Sequence, residues 1–192
     1  HDPSLKRLAG VNRRVAELTY HELQAFAAAS PARAHVPLIE EVFATVPGGR
    51  RVFVEIKCGP EILPGLERAM ASSGVARGQI AMIGFDDETM RHARVRFPGV
   101  AVYWVTSPKG WSLGRIPSVA EMIAVARAGK LDGLDVSARF AIDAGFVSEV
   151  KKAELQLYVW TVNNAKLARK LAMLGVDGVA TDRPGWMREQ LG

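Results

Sequence analysis

Glu55 and Lys57 are an acid and a base two residues apart, closing the run Arg51-Val52-Phe53-Val54-Glu55-Ile56-Lys57. The run is rich in Val, Ile and Phe and reads as a strand, with Phe53, Glu55 and Lys57 on one face and Val52, Val54 and Ile56 on the other. In a parallel sheet covered by helices both faces are apolar near a strand's start, so charges are tolerated only at its C-terminal end. That end is where α/β folds carry their chemistry, and partly buried charges gather at such sites. The plainer alternative is an ion pair that tidies the strand end. A second set lies in Leu155-Gln156-Leu157-Tyr158-Val159-Trp160, where Gln156, Tyr158 and Trp160 share one face opposite Leu155, Leu157 and Val159. Asp135 ends a further strand on the same rim, where it either reaches the site or hydrogen-bonds at the edge of the core. Asp182, two residues before Pro184, reads as the cap of a final helix.

The elements that position these residues follow from periodicity and punctuation. Residues 5–16 have no clean period and read as loop. Thr19 with Glu22 forms a capping box for a helix to about Ala29, and Pro37 at a first helical position opens a second helix that Pro47-Gly48-Gly49 stops. After strand 51–57 the pattern alternates: helix 61–73, strand 79–85, helix 87–97, strand 100–105, helix 118–128, strand 132–136, helix 143–153, strand 155–160, helix 165–174, strand 177–181, and a last helix from Pro184. Strand starts recur at about 21–31 residues, the period of βα units in a parallel sheet. Gly74, Gly99, Gly129 and Gly175 suit left-handed caps and tight turns beside the strands. The long irregular piece 107–117, anchored by Trp111, follows a strand and serves as a lid, a substrate wall or a packed surface loop.

Composition bounds the rest. The 192 residues are 48% hydrophobic and 23% charged, enough for one core, and nothing resembles an interdomain linker, so a single domain over 1–192 is expected. One cysteine, Cys58, excludes an intrachain disulfide and a cysteine-cluster metal site. No apolar run approaches the roughly 20 residues that span a bilayer, and a cytoplasmic location is expected. The net charge of +5 is spread over separate segments with no aromatic-interleaved basic stripe, which argues against nucleic acid; most of these charges read as solvated helix faces, with mild steering of a small anionic substrate as the sharper reading. No Gly-rich phosphate or dinucleotide fingerprint follows any strand. A polar and aromatic face on strand 155–160, against an aliphatic outer face, suits a barrel lumen.

His1-Asp2-Pro3, Pro37-Leu38, Glu55-Ile56-Lys57, Trp160-Thr161-Val162-Asn163, and Gly175-Val176-Asp177-Gly178 leading to Thr181-Asp182-Arg183-Pro184 occur together and in order. The series resembles the glycerophosphodiester phosphodiesterase family, a (β/α)8 TIM barrel of the phosphatidylinositol-phospholipase-like superfamily, over nearly the whole chain. Gly84-Phe85 departs from the Ser-Phe usual in that family. The resemblance implies a metal-dependent phosphoric diester hydrolase that splits glycerophosphodiesters into glycerol phosphate and an alcohol through a cyclic phosphate. It assigns His1 to acid/base catalysis, Glu55 to a divalent metal ion (Mg or Ca), Lys57 to the substrate phosphate and Trp160 to the wall of the alcohol pocket. His21, His35 and His92 receive no catalytic role. The family's first two strands, with its first histidine and two metal carboxylates, would lie upstream of His1, so this chain supplies about six βα units. Six strands leave two edges unpaired, which upstream residues or a second copy in a homo-oligomer must cover. The competing readings are a non-catalytic barrel acting as a binding module and a sphingomyelinase-D-like phospholipase.

Overall fold

The computed structural model describes residues 2–30, 35–110 and 115–192. His1 and Trp111 lie outside the described residues, and with them the catalytic assignment of His1 and the anchoring role of Trp111. The chain divides into two compact units, His1–Thr45 and Val46–Gly192.

The first unit is helical. A short helix α1, Lys6–Ala9, closed by Gly10 in the left-handed region (φ 70°), and a 3-10 turn, Val15–Glu17, occupy the stretch expected to be loop. Four residues are too few for a periodic signal, which is why composition alone missed them. Helix α2, Tyr20–Ala29, starts on the expected capping box: the Glu22 N–H donates to Thr19 Oγ1 at 3.3 Å, and the Thr19 N–H donates to Glu22 Oε2 at 2.8 Å. Helix α3, Ile39–Phe43, begins later than the proline suggested. Pro37 sits two residues ahead of it, and the Leu38 N–H donates to Glu41 Oε2 at 2.6 Å, so the carboxylate of the first turn fixes the start. Gln24 ties the segments together, donating to the Val36 carbonyl and accepting from the Val36 N–H at 3.2 Å.

The second unit is a βα succession. Its strands are β1 Val52–Glu55, β2 Ile80–Gly84, β3 Ala101–Thr106, β4 Gly133–Ser137, β5 Gln156–Trp160 and β6 Gly178–Val179. They form one parallel sheet in sequential order. The helices between and after them are α4 Leu63–Ser73, α5 Asp87–Arg96, α6 Val119–Ala128, α7 Ala144–Lys152, α8 Ala165–Leu174 and α9 Pro184–Leu191. Six parallel strands in a curled half-barrel with alternating helices are the βα units of a (β/α)8-type barrel, as the sequence led us to expect. Among the described residues β1 pairs with β2 alone and β6 with β5 alone.

Side-chain oxygens start the helices that follow β2, β3, β4 and β5. Asp86, Ser118, Asp143 and Asn164 each accept from the backbone N–H three residues on, and Ser118 completes a capping box with Glu121. Gly74 and Gly175 end α4 and α8 in the left-handed conformation, as expected. Gly129 does not: its φ is −81°, and Lys130 next to it takes the left-handed turn at φ 52°.

The strand faces separate two environments. Ile80, Met82, Val102, Leu134, Val136 and Leu157 are fully buried, on the face turned toward the helices, where Met90, Phe97, Met122 and Val150 meet them. Each such side chain contributes about 1.5–3 kcal/mol on burial. The alternate positions, Phe53, Glu55, Tyr103, Gly133, Asp135, Gln156, Tyr158, Trp160 and Gly178, line the lumen. Here Phe53, Tyr103 and Tyr158 form an aromatic floor with ring centroids 4.9–6.0 Å apart. Arg51 donates to Tyr158 Oη at 3.0 Å, and the Tyr103 hydroxyl bonds Gln156 Oε1. Burial pushes the Tyr103 phenol well above its ordinary value, so it remains a donor. A Cβ on Gly178 would stand 3.0 Å from the Tyr158 ring, so the absent side chain makes room for that floor.

Candidate functional site

Two residues beyond Phe53, Gly133 and Tyr158 on their own strands come Glu55, Asp135 and Trp160, a layer above the aromatic floor at the strands' C-terminal ends. Glu55 ends β1. Lys57 lies just past the strand, in the βα loop, and its Nζ stands 3.2 Å from Glu55 Oε2. Both side chains are partly open, 26% exposed for Glu55 and 42% for Lys57, so the pair is accessible to a ligand rather than sealed in the core. The ladder continues through this loop, with the Ile56 N–H donating to the Ile83 carbonyl at 2.8 Å. Backbone pairing therefore holds the segment that separates acid from base.

Beneath that segment β2 ends at Gly84. A Cβ there would stand 3.1 Å from the Ile56 carbonyl oxygen and 2.7 Å from Met90 Cε. The bare glycine lets β2 and α5 close against the Glu55-Ile56-Lys57 turn, which accounts physically for glycine at the position where the sequence departs from its expected pattern.

Asp135 is the group whose importance the sequence left open. It is 5% exposed, on the lumen face of β4, and its Oδ1 has no hydrogen-bond partner among the described residues. Burial, and then the negative charge of Glu55, push its carboxyl up from 3.8 to about 7. The two carboxyl groups therefore sense one another across the lumen. Trp160 joins the same group from β5, its Nε1 donating to the Asp135 carbonyl oxygen at 3.1 Å. That bond fixes the indole against β4. Its ring meets Phe85 edge-on at 5.7 Å between centroids, and Phe85, directly after β2, is half exposed. Phe85 is a wall residue to which the sequence reading gave no role, although it placed Phe85 at the C-terminal end of strand 79–85.

Lys57, Glu55 and Trp160, three of the four residues singled out from sequence, are thus linked through Glu55 and Asp135, while the fourth, His1, lies outside the described residues. Asp182 has another role than the one expected. The residue before α9 is Arg183, with no side-chain cap, and Asp182 Oδ2 instead accepts from Asn163 Nδ2 at 2.6 Å. Asn163 Oδ1 accepts from Thr181 Oγ1 at 2.9 Å and from the Asp182 N–H at 3.0 Å, and its carbonyl accepts from Arg183 at 3.1 Å. Asn163 therefore staples the loop that follows Trp160 to the loop that follows β6.

A divalent cation fits these residues only in part. Glu55 and Asp135 bring two carboxyl groups to one place, but among the described residues no group of three or more His, Cys, Asp or Glu side chains is placed to hold a metal ion. Hard cations take six or more oxygen ligands, so the described residues do not complete a site. No helix among them is long and apolar enough to cross a membrane.

The arrangement offers an ammonium, two coupled carboxyl groups and an aromatic wall at one rim of a parallel barrel sheet, a set suited to a small polar anion with an organic substituent. Comparison with known proteins points the same way. A sequence model described as the glycerophosphoryl diester phosphodiesterase family matches residues 1–186. YhdW of Bacillus subtilis, provisionally assigned as a glycerophosphodiester phosphodiesterase, is 26% identical over 97% of this chain and 77% of its own. A crystal structure from Silicibacter pomeroyi, provisionally assigned to the same activity, superposes with a TM-score of 0.82 at 20% identity, covering 100% of this chain and 77% of that one. An Oleispira antarctica phosphodiesterase, solved in complex with sn-glycerol-3-phosphate, gives 0.73 at 21% identity over 100% and 77% of the two chains.

Proposed function

Because the chain belongs to the glycerophosphoryl diester phosphodiesterase family, whose members are phosphoric diester hydrolases, we propose that it hydrolyses glycerophosphodiesters to glycerol phosphate and an alcohol. The observation that carries this reading is the rim constellation: Lys57 against Glu55, Glu55 sensing Asp135, and Asp135 bonded to Trp160. The product named for the Oleispira antarctica structure supports glycerol phosphate as the retained half of the substrate.

In this reading the glycerol 2-hydroxyl oxygen forms a bond to phosphorus while the bond from phosphorus to the other alcohol breaks. The 2-hydroxyl proton passes to a base, and the departing alkoxide takes a proton from an acid. Water then opens the cyclic phosphate, adding oxygen to phosphorus and returning a proton to the 2-oxygen. His1 supplies one of these proton-transfer groups, because an imidazole titrates near neutral pH. The Lys57 ammonium meets the phosphate, which lowers the charge that repels a nucleophile. Trp160, with Phe85 beside it, forms the apolar wall of the alcohol pocket. Glu55 supplies one carboxylate to a divalent cation, Mg²⁺ or Ca²⁺, which when bound neutralises charge on the diester.

The test is direct. The purified protein is incubated with a glycerophosphodiester, with and without added Mg²⁺ or Ca²⁺, and the reaction is followed by ³¹P NMR. Glycerol phosphate and free alcohol should form in equal amounts, with a cyclic phosphate visible early. A protein that binds the diester without turning it over under either condition would instead be a binding module.

A further inference from the structure

We infer that Asp135 is a specificity-determining residue of this site, its Oδ1 accepting a hydrogen bond from the terminal hydroxyl of the substrate's glycerol moiety. The inference rests on the proposed glycerophosphodiester activity and adds a contact to it.

Three observations carry it. The Asp135 side chain is 5% exposed and faces the lumen, yet Oδ1 has no partner among the described residues. Buried polar atoms in folded proteins are nearly always satisfied, so an orphaned acceptor beside a site marks where a ligand donor belongs. Next, Trp160 Nε1 is already committed to the Asp135 carbonyl at 3.1 Å. The indole edge is therefore spent on β4, and what the pair leaves for a ligand is an aromatic ring beside a carboxyl oxygen. The ring itself serves the alcohol pocket, and the carboxyl oxygen beside it is the acceptor left for an O–H donor of the adjoining glycerol. Finally, the charges sort the substrate. Lys57 lies on the Glu55 side of the rim and attracts the phosphate, whereas a carboxyl group at 135 disfavours an anion and favours a hydroxyl donor. The 2-hydroxyl is the nucleophile and must be free to reach phosphorus, which leaves the terminal hydroxyl for Asp135.

The experiment compares two substrates on three proteins: wild type, Asp135→Ala and Asp135→Asn. One substrate is a glycerophosphodiester; the other is the propane-1,2-diol diester of the same alcohol, which keeps the nucleophilic hydroxyl and lacks the terminal one. Wild type should prefer the glyceryl substrate by about 10- to 100-fold in kcat/KM, the range for a hydrogen bond to an ionisable acceptor. Asp135→Ala should bring that preference close to one, on top of whatever change in rate the lost carboxyl group causes for both substrates in common. Asp135→Asn keeps an acceptor oxygen of the same size and should retain most of the preference. A merely structural role would slow both substrates equally and leave the ratio intact in Asp135→Ala, which would overturn the inference, as would a wild type with no preference. A wild type inactive on every glycerophosphodiester would instead overturn the proposed function itself.

Discussion

Exchanging Asp135 for Asn should change how stability depends on pH. The carboxyl is held up from 3.8 to about 7 by burial and by Glu55. Between those values the folded protein keeps a proton that the unfolded chain has released. Stability therefore falls as pH rises across that window and levels off above it. At about 1.4 kcal/mol per pH unit, holding this carboxylate ionised in the fold costs on the order of 4 kcal/mol. Only part of that cost is felt at pH 5, and the difference between pH 5 and pH 8 is about 2–3 kcal/mol. Asn does not titrate, so the variant should gain on wild type as pH rises, and the gap in Tm should widen by about 5–10 °C between pH 5 and pH 8. Thermal unfolding followed by circular dichroism in a chelating buffer reads this, and other titrating groups cancel between the two proteins. An amide left without partners adds a constant offset, so the slope of the gap carries the test. A gap independent of pH would mean that the folded protein accepts the Asp135 charge as readily as water does, and the reasoning from burial would fall.

Asn163→Ala removes three side-chain hydrogen bonds that join the loops after β5 and β6, and at an exposed position this should cost about 1–3 kcal/mol; an unchanged melting temperature would show that the loops are held by other contacts. Glu55→Gln keeps size and removes charge, so turnover should fall by about 100-fold or more while unfolding stays cooperative, with partial recovery in excess Mg²⁺ or Ca²⁺. An unaltered rate would reduce Glu55 to a structural partner of Lys57. Lys57→Met should lower kcat/KM by about 100-fold and flatten its dependence on ionic strength, because the ammonium acts through charge; a steep salt dependence surviving in the variant would place the phosphate elsewhere.

Glu55 and Lys57 were legible because their signal is local: a β-branched run, a period of two, and charges only at the end that chemistry uses. The starts of α2, α6 and α7 were legible for the same reason, since Thr19, Ser118 and Asp143 bond within three residues of themselves. Asp182 was misread because its local context, two residues before a proline, resembles a cap, whereas its actual partner, Asn163, is 19 residues away and is brought near by the pairing of β5 with β6. Asp135 could be placed on a strand but not weighed. Leu134-Asp135-Val136 alone does not say whether the alternate face looks into a lumen or into water, and the charge of Glu55 reaches it only once the sheet curls. Phe85 received no role because a single aromatic at a strand's end has no period to mark it as a wall.

The bare Cα of Gly84 also limits what else the position can hold. With Met90 Cε 2.7 Å and the Ile56 carbonyl oxygen 3.1 Å from where a Cβ would sit, a side chain at 84 meets the helix and the turn at once. Overpacking so tight a spot costs about 1–3 kcal/mol. Met90 Cε is the free end of a flexible side chain and can swing aside cheaply, whereas the Ile56 carbonyl is backbone and cannot, so a hydroxyl-bearing residue at 84 would press on the turn that carries Glu55 and Lys57.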